Sequence, residues 1–131
     1  MIIKSVYIEI TNRCNLDCRD CYNSSGRNRE TVELDPEVLL RFITDLKVRY
    51  HVRSVTLSGG EPLLHTQIDR ILKSISELSV RDSEMDFNFI TNGTLDNALF
   101  YELMERNPHF YLQISLDGPN EAANASMRGP G

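Results

Sequence analysis

The 131-residue chain is short of positive charge. It has 14 lysines and arginines against 19 aspartates and glutamates, which gives a net charge of −5 at pH 7. Such a chain lacks the basic surface that binds a nucleic-acid backbone, so we expect no nucleic-acid partner. No apolar run approaches the roughly 20 residues that cross a bilayer, and residues 1–5 lack the apolar stretch of a signal peptide. These absences predict a cytoplasmic protein without a membrane partner.

Cysteine is also scarce, and its distribution is uneven. The three cysteines, Cys14, Cys18 and Cys21, fall within eight positions. A secreted disulfide framework usually spreads an even number of cysteines along the chain. A short, odd-numbered cluster points instead to metal or redox chemistry.

The chain length predicts one domain, and the pattern of apolar residues predicts an α/β fold. Runs rich in β-branched and aromatic residues predict strands at residues 3–10, 53–57, 85–90 and 110–116. Helical periodicity predicts helices at residues 35–50, about 66–78 and about 96–106. The first helix has the clearest start, with Asp35 as its N-cap and Pro36 in its first turn. Strands that alternate with helices form right-handed crossovers and hence a parallel sheet.

Polar and glycine-containing segments follow all four predicted strands. They are residues 11–22, 58–62, 91–93 and 115–119. In a parallel sheet the carboxyl ends of the strands lie on one rim, where ligands bind. We therefore expect the four segments to form a single pocket.

The spacing Cys-x3-Cys-x2-Cys lets three thiolates converge on one centre. Soft thiolates select zinc, copper(I) or iron–sulfur clusters. Three ligands leave one position open, which is typical of a working metal centre rather than a closed structural site. The residues alone leave two alternatives. Cys18 and Cys21 could form a dithiol with Cys14 as an ordinary thiol, or a histidine such as His65 could complete a zinc site.

Taken together, the motifs resemble those of the radical S-adenosylmethionine (radical SAM) enzymes. The cysteine motif resembles the cluster motif of that family, and residues 59–62 (GGEP) resemble its glycine-rich segment. Residues 91–93 (TNG), Ser115 with Asp117, and residues 127–129 (MRG) are similar to three further family segments. The resemblance covers residues 3–129.

The resemblance implies two cofactors, a [4Fe–4S] cluster held by Cys14, Cys18 and Cys21, and S-adenosyl-L-methionine. In the family, reductive cleavage of S-adenosylmethionine gives methionine and a 5′-deoxyadenosyl radical, which abstracts hydrogen from a substrate. The resemblance also implies a reductant such as flavodoxin or ferredoxin. It implies no catalytic residue beyond the cluster ligands.

The same resemblance assigns the cofactor-binding residues. They are Gly59, Gly60, Glu61, Asn92, Ser115, Asp117, Arg128 and Tyr22. The glycine-rich segment is expected to contact the methionine amino group through its backbone, and Arg128 to approach the carboxylate. The family often has an aromatic residue before the third cysteine, where this chain has Asp20, so Tyr22 is the expected cover of the adenine.

The resemblance further implies an incomplete core. The family core is a partial TIM-like barrel of six strand–helix units, whereas we predict four strands and three helices here. We interpret residues 1–131 as the N-terminal portion of a radical SAM core, either a fragment or a chain that a partner completes. The motifs most resemble those of SPASM-type maturases, which modify peptides or proteins. Two alternatives are a non-catalytic fragment or subunit that binds an iron–sulfur cluster, and an activase of a glycyl-radical enzyme.

Overall fold

The computed structural model describes residues 2–25, 30–81 and 84–129 and contains a four-stranded parallel sheet. The strands are β1 (Ser5–Thr11), β2 (Ser54–Gly59), β3 (Asp86–Thr91) and β4 (Phe110–Ile114). The helices are α1 (Pro36–Tyr50), α2 (Ile68–Arg81), α3 (Ala98–Arg106) and α4 (Glu121–Arg128), and a 3₁₀ turn (Pro62–Leu64) precedes α2. The strand order is β1-β2-β3-β4 with every pair parallel, and the sheet does not close. The predicted α/β fold with an incomplete TIM-like barrel is confirmed.

The start of α1 follows from its sequence. The Asp35 carboxylate accepts hydrogen bonds from the backbone N–H groups of Glu37 and Val38, at 2.9 and 3.0 Å, and Pro36 occupies the first turn. These bonds satisfy two of the N–H groups that a helix start leaves unpaired. The start of α2 differs from the prediction, because Thr66 donates its hydroxyl to Glu33 and the helix begins only at Ile68.

The prediction of three helices was wrong, because the described residues form a fourth, α4. Its N-cap is Asn120, whose side chain accepts a hydrogen bond from the Ala123 N–H at 3.0 Å. The helix has no buried residue, and the apolar residues of its eight-residue sequence EAANASMR are three alanines and one methionine. So short a segment without large branched or aromatic side chains was not predicted as a helix.

The core lies between α1–α3 and one face of the sheet. Because side chains alternate along a strand, every second strand residue points to the helices. The fully buried members include Leu57, Phe87 and Phe89 from the strands. Phe89 packs edge-on against Phe100 of α3, with ring centroids 5.3 Å apart. The core fixes the strands, and so the positions of the segments that follow them.

None of the helices in the described part of the chain combines the length and the apolar character that a bilayer-spanning helix needs.

Candidate functional site

A cleft of about 240 Å³ opens at the carboxyl ends of the four strands. It is lined by ten of the eleven residues that the sequence assigned to the site, namely Cys14, Cys18, Cys21, Tyr22, Gly59, Gly60, Asn92, Ser115, Asp117 and Arg128. The eleventh, Glu61, lies behind the lining. All four strand-end segments thus meet in one place, as the rim of a parallel sheet requires.

The loop after β1 brings the three cysteines to this cleft. None of the three forms a disulfide with a described residue, and each is partly buried. The loop is held by its backbone, since the Cys21 N–H donates to the Cys18 carbonyl at 3.3 Å and the Arg19 N–H donates to the Met127 carbonyl at 2.8 Å. Three soft sulfur ligands on one loop fit the chemistry of an iron–sulfur cluster.

One of the two alternatives for the cysteines, a zinc site completed by a histidine, finds less support. Within residues 2–25, 30–81 and 84–129, no three His, Cys, Asp or Glu side chains converge closely enough to hold a single metal ion. His65 is buried, and both of its ring nitrogens are engaged, one with the Leu34 carbonyl and the other with the Gln67 N–H. It is therefore not placed to complete a zinc site.

The environment of Cys14 favours the protonated thiol when nothing is bound. Burial raises the pKa of Cys14, and the neighbouring Cys18, Glu61 and Cys21 add to the effect, while a hydrogen bond from the Leu16 N–H opposes it. Because a metal takes the thiolate, loading of this loop releases a proton.

The glycine pair at the end of β2 allows a close approach of two backbones. A Cβ on Gly59 would lie 2.2 Å from the Thr11 carbonyl oxygen, and one on Gly60 would lie 2.1 Å from the Arg13 carbonyl oxygen. The Gly60 and Glu61 N–H groups donate to those same two carbonyls, at 2.8 and 2.7 Å. The pair therefore fixes the segment that leads into the cysteine loop.

Glu61 joins the segments that follow β2 and β3. Its carboxylate is fully buried and accepts hydrogen bonds from Thr91 Oγ1 at 2.9 Å, from the Asn92 N–H at 2.7 Å and from the Leu63 N–H at 3.1 Å. These donors compensate for the hydration that the carboxylate loses when it is buried. The structure places this side chain as a brace behind the cleft rather than in its lining.

Asn92 ties the β3 segment to the cysteine loop. Its side-chain nitrogen donates to Asn15 Oδ1 at 2.9 Å, and its oxygen accepts from the Thr94 hydroxyl at 2.8 Å. Asn15 in turn donates to the Thr94 hydroxyl at 2.7 Å. The three side chains form a closed ring of hydrogen bonds across the rim.

The far wall of the cleft, formed by α4 and the segment after β4, contains a charged pair. Arg128 Nε lies 2.6 Å from Asp117 Oδ2, a distance typical of an ion pair, although the N–H does not point at that oxygen. Arg128 is carried by α4, and Asp117 follows β4. The side chain of Arg128 is mostly buried, so its guanidinium faces the cleft at a fixed place.

Sequence reasoning missed a hydrogen-bonded group on the near wall, the side of the cleft next to β1. Tyr22 donates to Glu9 Oε1 at 2.7 Å, Tyr7 donates to Ser58 Oγ at 2.6 Å, and the two phenol oxygens are 2.8 Å apart. Partial burial of the phenol and its bonds to Tyr7 and Glu9 raise the pKa of Tyr22. Side chains alternate along β1, which puts Tyr7 and Glu9 together on the face away from the helices. This alternation was the sequence signal from which the group could be predicted.

A comparison with known families decides the relationship. The model of the Radical SAM superfamily matches residues 8–131. The chain belongs to the radical SAM superfamily. The cofactors expected from the sequence, an iron–sulfur cluster and S-adenosylmethionine, are those of this superfamily.

Relatives of similar sequence are named as probable GTP 3',8-cyclases. The chain is 36% identical over 137 residues to one from Methanococcus maripaludis strain C7, which aligns with 95% of this chain and 44% of the relative. It is 38% identical over 103 residues to one from Methanocella arvoryzae, with 79% of this chain and 31% of the relative aligned. The chain thus spans less than half the length of these relatives.

Solved structures with bound S-adenosylmethionine share the fold. SuiB of Streptococcus suis bound to S-adenosylmethionine superposes with a TM-score of 0.83 at 23% identity, over 98% of this chain and 28% of SuiB. The anSMEcpe structure with bound AdoMet and the Cp18Cys peptide superposes with a TM-score of 0.72 at 22% identity, over 95% of this chain and 34% of that protein. At these identities the likeness establishes the fold alone.

Proposed function

We propose that residues 1–131 are the cofactor-binding N-terminal portion of a radical SAM enzyme that reductively cleaves S-adenosylmethionine. One observation carries the proposal: three thiols, the glycine pair and the Asp117–Arg128 pair line one cleft at the carboxyl ends of parallel strands. Membership of the superfamily supports it.

Cys14, Cys18 and Cys21 would hold the [4Fe–4S] cluster. When bound, the cluster supplies one electron for cleavage of the carbon–sulfur bond of S-adenosylmethionine, which yields methionine and a 5′-deoxyadenosyl radical. The chain's own part is to fix the loop that carries the thiols. The Gly60 and Glu61 N–H groups, through their hydrogen bonds to the Thr11 and Arg13 carbonyls, do this from the β2 side, where the glycine pair allows the close approach.

The other lining residues would bind and orient S-adenosylmethionine. Arg128 offers a guanidinium to the carboxylate, a pairing that can be bidentate, and Asp117 keeps that guanidinium in place. Ser115 offers a hydroxyl on the same wall. Tyr22 presents a largely exposed ring for the adenine. Glu61 and Asn92 would act as positioning residues, since their side chains are engaged within the rim.

The test is anaerobic reconstitution with iron and sulfide, followed by dithionite and S-adenosylmethionine. We expect about four irons per chain and formation of 5′-deoxyadenosine. The Cys18→Ala variant should lose the iron and the product, whereas Arg19→Ala, an exposed position in the same loop, should keep both. Undiminished iron in Cys18→Ala would overturn the ligand assignment. A loaded cluster without product would favour the alternative of a non-catalytic cluster-binding portion.

The substrate of the enzyme is open to two proposals from different observations. The motifs and the fold shared with peptide-bound enzymes support a peptide- or protein-modifying maturase with a reductant such as flavodoxin or ferredoxin. Sequence identity of 30–38% supports a nucleotide cyclase like the GTP 3',8-cyclases. An activase of a glycyl-radical enzyme has neither kind of support. Stimulation of 5′-deoxyadenosine formation by added GTP or by added peptides separates the two.

A further inference from the structure

The sheet face turned away from the helices has an unusual charge. The four strands contain two acidic residues, Glu9 and Asp86, and no lysine or arginine. Both acids lie on the uncovered face, since each alternates with a core residue such as Ile8 or Phe87. The remaining residues of this face are mostly hydroxyl, amide and aromatic groups. A surface of this kind attracts cations and disfavours phosphates.

At the rim, this face ends in the group formed by Tyr7, Glu9, Tyr22 and Ser58. Its members are joined by contacts of 2.6 to 2.8 Å, so the Glu9 carboxylate and the phenol of Tyr7 are held near each other by Tyr22. Half of Tyr7 and three-quarters of Tyr22 are exposed. Aromatic rings and a carboxylate are therefore available together beside the cysteine loop.

Glu9 differs in its partners from Asp86, the other acid of this sheet face, and from Asp117 of the cleft. Asp86 pairs with His109 at 3.0 Å, and Asp117 pairs with Arg128. Glu9 accepts the Tyr22 hydroxyl and makes no ion pair with any residue of the described ranges. The side chains lining the cleft in those ranges include a single basic residue, Arg128, which Asp117 already engages.

If the proposed function holds, we infer that Glu9 and Tyr7 bind a cationic group of the substrate, a protonated amine or guanidinium such as a lysine or arginine side chain of a peptide. A carboxylate supplies a charge-assisted hydrogen bond to such a group, and the face of an adjacent tyrosine adds a cation–π contact. A nucleoside triphosphate would instead bring its phosphates to strands that carry acids and no base. The inference thus favours a basic peptide over GTP as the substrate that this half of the enzyme receives.

The test is an NMR titration of the reconstituted chain with ¹³C-labelled tyrosine rings, assigned through the Tyr7→Phe and Tyr22→Phe variants. The probes are acetyl-Gly-Lys-Gly-amide, the same peptide with norleucine in place of lysine, and GTP. We expect the lysine peptide to shift the Tyr7 signal and to bind about fivefold more tightly than the norleucine peptide. Glu9→Gln should remove that preference, whereas Asp45→Asn, which removes a half-exposed acid of α1, should keep it.

The inference would be overturned if GTP bound more tightly than the lysine peptide. It would also be overturned if the Glu9→Gln variant kept the preference for lysine over norleucine. The same preparations are assayed for 5′-deoxyadenosine. A wild-type chain that cleaves S-adenosylmethionine but shows no lysine preference refutes the cation site alone. A wild-type chain with the preference but no cleavage refutes the proposed function and supports the cation site.

Discussion

At the scale of the residue, Glu61 is the buried charge that organises the rim. Three donors from the segments after β2 and β3 converge on its carboxylate, at 2.7 to 3.1 Å. A buried carboxylate is tolerated only where such donors compensate for its lost hydration. The two segments are therefore fixed relative to each other by one side chain.

We predict that Glu61→Gln destabilises the fold by about 2 kcal/mol, because an amide N–H₂ would then face backbone N–H donors and leave one of them unpaired. Urea denaturation measures the loss. Glu77→Gln, at an exposed position of α2, is the control and should change the free energy of unfolding by less than about 0.5 kcal/mol. Equal, small changes in both variants would contradict the bracing role.

The environment of Glu33 implies that the free energy of unfolding depends on pH. Burial alone would raise the pKa of Glu33, but hydrogen bonds from Thr66, with His65 and Arg13 nearby, lower it overall. A carboxyl whose pKa is lowered by folding stabilises the native state above its unfolded value of about 4.3, and this stabilisation disappears as the pH falls below it. The stability difference between wild type and Glu33→Gln should therefore shrink between pH 6 and pH 3. A difference that stays constant over this range would refute the prediction.

At the scale of the element, two helices have similar caps and different tasks. The Asn97 side chain accepts the Phe100 N–H at 2.8 Å and starts α3, which buries Phe100 in the core. Asn120 starts α4, which buries no residue but carries Arg128 to the cleft. The first cap serves the fold, and the second serves the site.

We therefore expect opposite effects from the matched variants Asn97→Ala and Asn120→Ala. The first should lower the free energy of unfolding by about 1 kcal/mol, the usual loss of an N-cap. The second should leave global unfolding nearly unchanged and weaken S-adenosylmethionine binding several-fold. Denaturation and equilibrium binding on both variants give the comparison, and a loss of binding in Asn97→Ala alone would reverse the assignment.

At the scale of the whole molecule, the sheet ends in two edge strands, β1 and β4. The helix side of β4 and the segment after it leave Leu112, Ile114 and Leu116 exposed. Edge strands with apolar neighbours pair readily with other chains. The open side of the sheet at β4 is thus the part of the molecule most prone to association.

We expect concentration-dependent self-association of the chain, which analytical ultracentrifugation would detect. Ile114→Lys, at a position that is 49% exposed, should reduce it. Val48→Lys, at a 71% exposed position of α1, adds the same charge elsewhere and should not. Equal reductions in both variants would mean that net charge, rather than β4, controls association.

The sequence predicted the sheet and the place of the cleft better than the contacts within it. Apolar residues alternate in β3 and recur at helical spacing in α1, so local periodicity was enough to predict these elements of the fold. The bond between Asn92 and Asn15 and the contact between Tyr7 and Tyr22 join residues far apart in the chain. Such pairs leave no local pattern. The helix α4 was not predicted because it buries no residue. The cluster-binding and cofactor-binding roles assigned to individual residues stay predictions.

The hydrogen bond from the Arg19 N–H to the Met127 carbonyl has a consequence for the order of events during synthesis. The cysteine loop emerges early from the ribosome, and the segment that closes it emerges roughly 5 to 20 s later at ordinary translation rates. During that interval the three thiols are without their cleft and open to oxidation or to adventitious metals. A nascent chain would therefore gain from delivery of its cluster only after α4 has emerged, when both walls are present.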